Sequence, residues 1–418
     1  MRTYLLVVLV VIGLLIPPGM TASGGPPIQA APESDLLRLM RFIPDAPEYT
    51  EWVSYGDIAA WHTSWNIPRL DNLDDLDALD RDPRAYWMFI MPRQTFPRDV
   101  LGAQYLMQSP MRPFYGFDLF NADRFISAGM PPVEVAVIEH NLDNAAIAAA
   151  LTASGYEVKS EEPESTLYGF LEDNESALAL RDTVPRVGLT GALNRIALLD
   201  GGPMIIARAT GLVTTALGAQ RGDTPSLADN VAFRAAALAL EDPFLADTGE
   251  LVGAMLFDAA AFEFDDPFAV LGAHVTSEQL EELRERYRLD EVIRLFSYQA
   301  VALATRHTEG ATYLIVAAVF TPGTDAAHFA GVLGARMQDY VSLQTQQPLS
   351  DRWTFDRASG VTVEGQPVGL VVMRVPDPPI APEGEMANAA VFSWIQLEAA
   401  RDYLFLSPYG LPEEAPPE

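Results

Sequence analysis

Apolar runs bounded by turn residues recur along the chain and predict strands over Val133–Glu139, Met204–Arg208, Glu250–Phe257, Tyr298–Arg306 and Thr312–Phe320. The last two flank His307-Thr308-Glu309-Gly310, whose length and composition suit a hairpin. Arg195–Leu199 and Met204–Arg208 flank Asp200-Gly201-Gly202-Pro203 in the same manner. Elsewhere the apolar period lengthens to that of a helix. After Asp325 the positions Phe329, Val332, Leu333, Met337, Tyr340 and Val341 form one stripe, and after Asp143 the positions Ile147, Ala150 and Leu151 form another. Ser226 with Asp229 reads as a capping box leading into a helix over Val231–Leu240. Thr276 with Gln279 reads as a second, with Leu280, Leu283 and Tyr287 on one helical face.

Strands and helices therefore mix without the even alternation of a doubly wound sheet, which predicts an α+β fold. Several pieces of the first half match pieces of the second in order. Val53–Trp61 pairs with Met255–Phe262, each an apolar run ending in an Asp-led helix start at Asp57 and Asp258. The strand before Asp143 pairs with the strand before Asp325, and Met204-Ile205-Ile206 pairs with Tyr403-Leu404-Phe405. The expected architecture is two related modules, residues 33–247 and 248–410, each a mixed or antiparallel sheet with helices on one face. The Pro/Glu-rich tail, residues 411–418, reads as disordered.

The N-terminus changes the picture from fold to compartment. Arg2 precedes an uncharged apolar run from Tyr4 to Ile16, then Pro17, Pro18 and small residues. That run is too short to span a bilayer, which takes about 20 apolar residues, and reads as a secretory signal peptide within residues 1–31. Cleavage is expected after Ser23 or near Ala31, the alternative being an uncleaved N-terminal anchor. The expected location is extracytoplasmic, secreted or in the cell envelope.

Charge and cysteine count narrow the chemistry. The chain of 418 residues has a formal net charge of −30 and no cysteine, and Lys159 is its only lysine. No basic face is available to neutralise phosphates, so nucleic acid is excluded as a partner, and attraction to anionic lipid headgroups is disfavoured. Without cysteine there is no disulfide, zinc-thiolate site, thiol nucleophile or lipidated N-terminal cysteine.

Short motifs along the first half carry a resemblance. Gly116-Phe117-Asp118, Asp123-Arg124, Gly129-Met130-Pro131-Pro132, Leu142-Asp143 and Gly155-Tyr156 resemble a family of uncharacterised bacterial extracytoplasmic proteins. Ser226-Leu227-Ala228-Asp229 with Phe233, followed by the strand ending at Asp258, is similar to a segment of other secreted bacterial proteins of unknown function. The resemblance implies an envelope or secreted location and no activity.

Candidate chemistry is sparse. Phosphate-binding glycine loops, the G-x-S-x-G elbow and H-E-x-x-H are all absent, and the five histidines are scattered singly. His140 with Asp143 is the nearest His–acid pair, although Asp143 also stands where a helix cap is expected. Asp57, Asp143, Asp258 and Asp325 all read as caps. Asp71, Asp74, Asp75 and Asp77 lie in an aspartate-rich stretch and are candidate ligands for Ca²⁺, a hard cation that takes oxygen donors. The competing reading of that stretch is a short helix with Leu73, Leu76 and Leu79 buried and the carboxylates solvated. Trp52, Trp61, Trp65 and Trp87 are either core or a stacking surface, and Trp61-His62-Thr63-Ser64-Trp65 mixes polar with aromatic residues. No catalytic or cofactor-binding residue is assigned. The expected function is that of an exported non-enzymatic protein binding an unidentified ligand or envelope partner. Its alternatives are a hydrolase of envelope material and a calcium-stabilised structural protein.

Overall fold

Why the apolar runs become one sheet follows from where their side chains go. In the computed structural model, residues 33–66, 68–71, 75, 78, 79, 111–185, 188–261, 276, 278, 281, 285, 295, 297–342, 347–351, 353–376 and 404–406 are described. The signal segment, Asp74, Asp77, Trp87, most of the helix expected after Thr276 and the tail 411–418 lie outside them. The strands are β1 (Val53–Asp57), β2 (Ala122–Ala128), β3 (Val135–His140), β4 (Glu157–Glu162), β5 (Ser165–Gly169) and β6 (Arg195–Leu199). They continue with β7 (Met204–Ala207), β8 (Glu250–Asp258), β9 (Tyr298–Thr308), β10 (Ala311–Phe320), β11 (Thr354–Val363) and β12 (Gln366–Pro376).

Among the described residues these strands form one twelve-stranded sheet in the order β11-β12-β10-β9-β8-β1-β2-β3-β7-β6-β5-β4. Every pairing in it is antiparallel. With its helices it makes the architecture α+β. The strands of the two expected modules meet at β1 and β8, where Val53 faces Leu256 and Gly56 faces Gly253. Beyond that seam, β3 is followed by a helix and a four-strand meander that returns β7 beside β3, while β10 is followed by a helix and a hairpin that returns β12 beside β10.

Eight α-helices are described: α1 (Asp35–Met40), α2 (Pro47–Thr50), α3 (Ile58–Ser64), α4 (Arg112–Tyr115), α5 (Asn144–Ala153), α6 (Thr210–Arg221), α7 (Val231–Ala239) and α8 (Ala326–Asp339). They cover both faces of the sheet, which corrects the expectation of helices on one face. Leu37 and Met40 of α1, Val213 of α6 and Phe233 of α7 share one core with Tyr55, Ile126, Leu256 and Ile315. On the opposite face Trp61 of α3 and Ile147 and Leu151 of α5 pack on Phe125 and Ile138, and Leu333 and Met337 of α8 pack on Leu314 and Val316. The physical reason is burial: β1 and β10 are buried at every position, so both of their faces need a cover.

The helix starts are set by short polar side chains. Asp57, Asp143 and Asp325 cap α3, α5 and α8 by accepting the backbone N–H of Ala60, Ala145 and His328. Asp258 accepts that of Ala260 at 2.8 Å, as the cap reading expected of all four. The capping box at Ser226 is a correction. Asp229 accepts from the Ser226 N–H and hydroxyl at 2.9 and 2.8 Å, closing a turn, and Asn230 caps α7 instead. The third matched pair also differs, since Met204–Ala207 is a strand and Leu404–Leu406 a 3-10 turn. Both sheet edges are interrupted by register shifts, between Val158 and Ser160 in β4 and between Phe355 and Arg357 in β11. The fully exposed β4 adds Glu157, Lys159, Glu161 and Glu162, charges that discourage pairing with another strand.

Candidate functional site

Helix α3, with its C-cap Trp65, carries the tract that mixes aromatic with polar residues. It starts at the end of β1, where Asp57 stops the strand and caps the helix, and it lays Ile58 and Trp61 on the sheet. Trp61 is only 2% exposed, whereas Trp65, one turn on, is half-buried. His307, near the end of β9, rises to meet them. The Trp65 and His307 rings are stacked at 4.5 Å and 17°, and Trp61 lies 6.1 Å from Trp65 and 6.0 Å from His307 with its plane within 26° of both. Trp61 thus belongs to the core, and Trp65 carries the stack toward the surface. Trp52 is core as well, donating its indole N–H to Ser54 at 2.9 Å and meeting Phe257 edge-on at 5.4 Å.

Polar groups surround the base of α3. His62 is buried, and burial pushes its pKa down to about 4, helped by the positive charge of Arg69, so the ring is neutral at pH 7. Arg69 donates from Nε to the Phe120 carbonyl at 2.8 Å and from Nη2 to the Ala122 carbonyl at 2.6 Å, and it pairs with Asp123. Asp118 sits just before this contact and is 5% exposed. Burial raises its pKa to about 6, against the opposing N–H groups of Phe120 and Asn121 and the fields of Arg112 and Arg69. The same region holds the buried Trp61 Nε1, Asn121 Oδ1 and His140 Nε2, which have no hydrogen-bond partner among the described residues.

Gly116 allows Asp118 to be placed there. Its φ of +79° ends α4, and a Cβ at this position would lie 2.7 Å from the Ile147 Cα of α5. The glycine thus permits both the left-handed turn and the close approach that bury the following Phe117 and Asp118.

The structure separates the sequence candidates. His140 accepts the Leu142 N–H at Nδ1 while Asp143 accepts the Ala145 N–H, so the two serve different backbone donors. Of the aspartate-rich stretch, Asp71 is exposed, its N–H donates to the Asp75 carboxylate at 3.2 Å, and its carbonyl accepts from Arg112. Asp74 and Asp77 lie outside the described residues. Among the described residues no three His, Cys, Asp or Glu side chains are grouped to hold a metal ion. Asp118, Arg69 and His307 were not selected as functional from the sequence. The only signal was the Gly-Phe-Asp triplet at 116–118, because burial of a lone carboxylate depends on chain packing that no local motif records.

Comparison with known proteins adds little. No protein-family model matches the chain, and no curated protein matches it. Among solved structures it is similar to crystal form I of TP0453, with 7% identity over 87% of this chain and 97% of that one and a TM-score of 0.35. A score of that size establishes neither a shared fold nor a shared function. No helix among the described residues is long and apolar enough to cross a membrane.

Proposed function

We propose that this chain is an exported protein of the cell envelope that binds a ligand or partner without turning it over, and that Trp65 on His307 is its contact wall. The observation that carries the reading is this stack, in which a half-buried indole lies parallel on an imidazole at 4.5 Å. A ring fixed in this way loses little further side-chain freedom when a sugar or peptide packs against its exposed part. The N-terminal run from Tyr4 to Ile16, the acidic composition and the resemblance to uncharacterised extracytoplasmic proteins support the location. Duplication of one module is part of the proposal. It is supported by the same succession of strand, strand pair and Asp-capped helix on either side of the β1–β8 seam, followed by a four-strand meander in the first half and a hairpin in the second.

A second reading, hydrolysis of envelope material, is favoured by Asp118 and His62, two buried titratable groups whose pKa values are displaced in opposite directions. Thermal unfolding of the purified chain with glycans, peptides, lipids or Ca²⁺ tests the binding proposal. A ligand at 100 times its Kd adds about 2.7 kcal/mol, a rise in Tm of about 3 °C for a chain of this size. The shift should disappear in Trp65→Ala. A shift that survives in Trp65→Ala moves the site elsewhere. Release of new sugar or peptide ends from envelope material, lost in Asp118→Asn, would replace binding with hydrolysis.

A further inference from the structure

Helices α1 and α3 lie on opposite faces of the sheet and are both too short to persist alone, with six and seven residues. Each depends on docking. Leu36, Leu37, Leu39 and Met40 of α1 are all buried, and α3 relies on its cap together with Ile58 and Trp61. Between them, at the end of β1, β2 and β3, runs a chain of charged side chains. Asp57 divides its carboxylate, one oxygen accepting the Ala60 N–H of α3 at 2.8 Å and the other accepting Arg124 Nε at 2.7 Å. Arg124 Nε also lies 3.1 Å from Asp35 of α1, and its Nη1 lies 3.4 Å from Glu139 of β3. Arg38 of α1 bonds Asp35 at 2.6 Å and grips both oxygens of Glu139.

From this geometry we infer that the Asp57–Arg124 pair is a latch that couples the docking of α1 on one face of the sheet to the order of α3 on the other. Three carboxylates share two guanidinium groups. When α1 is docked, Arg38 satisfies Glu139 and Asp35, and Arg124 is left to hold Asp57 in the position that caps α3. Without the Arg38 charge, Asp35 and Glu139 compete with Asp57 for Arg124, and the cap loosens. The coupling travels through hydrogen bonds of stated length, with no backbone hydrogen bond between the two helices required. It does not depend on what α3 binds, although α3 carries the Trp65 stack.

Hydrogen exchange on the whole purified chain tests the latch. Arg38→Gln should speed exchange of the α3 amides from Ala60 to Ser64 by about three- to tenfold, alongside those of α1, because a weakened cap is worth roughly a kcal/mol. Helices α5 and α8, capped by Asp143 and Asp325, should not change. Asp57→Asn, which keeps an oxygen for Ala60 but drops the charge, should speed exchange in α1. Arg38→Lys, retaining charge without the two-pronged grip, should give a smaller increase at both helices. Faster exchange of α1 alone in Arg38→Gln, or of α3 alone in Asp57→Asn, would overturn the coupling. If Arg38→Gln speeds α5 and α8 equally, general loosening is the cause, and the Arg38→Lys and Asp57→Asn results decide.

Discussion

Replacing Asp118 by Asn should stabilise this protein at neutral pH and make it more sensitive to acid. In the fold the carboxyl titrates at about 6, raised by burial from an ordinary 3.8, so the folded state binds a proton that the unfolded state releases between those values. Stability contributed by this group therefore increases as pH falls from about 6 to about 4, and at pH 8 the buried charge costs about 3 kcal/mol. His62 works in the opposite direction. Its pKa is lowered from 6.5 to about 4, so the unfolded state takes up the proton first, and stability falls by about 3 kcal/mol over nearly the same interval. In the wild type these two slopes largely cancel between pH 7 and pH 4. The amide introduced by Asp118→Asn would keep an oxygen for the Phe120 N–H, which Asp118 accepts at 3.0 Å, while removing the charge. The variant should gain about 3 kcal/mol at pH 8, roughly 4 °C in Tm, and match the wild type near pH 3.5. Urea unfolding at half-unit steps from pH 3.5 to pH 8, on wild type, Asp118→Asn, His62→Gln and the double variant, reads the whole cycle. Destabilisation by Asp118→Asn at pH 8 would show that Arg69 and Arg112 hold the carboxylate more strongly than burial penalises it, and the reasoning would fail.

Other consequences are simpler to measure. Gly116→Ala places a Cβ 2.7 Å from the Ile147 Cα at a φ of +79°, and should cost about 2–4 kcal/mol in denaturant unfolding. Asp325→Ala should lose about 1 kcal/mol through the missing cap on His328 N–H, most of it restored in Asp325→Ser. Trp61→Ala, in the core, should cost about 3–5 kcal/mol, whereas Trp65→Ala should cost about 1–2 kcal/mol, so only Trp65 can be removed without endangering the fold. Equal losses at the two positions would place Trp65 in the core.

What the sequence determined by itself was local. The strands Arg195–Leu199, Glu250–Asp258 and Ala311–Phe320, and the helices following Asp143 and Asp325, were legible because apolar period and short polar caps act over a few residues. The exposed β4, with the sequence EVKSEE, carried no alternation to announce it, because a charged edge strand is defined by its partner β5 and not by a buried face. Tertiary structure alone decided that the strands of both halves form one sheet through Val53 and Leu256, and that helices are needed on both of its faces. It alone joined Trp65 to His307 across 242 positions of sequence and buried the Asp118 carboxylate. Stacking and desolvation depend on what surrounds a side chain in space, and residues so far apart along the chain leave no mark on each other's local pattern.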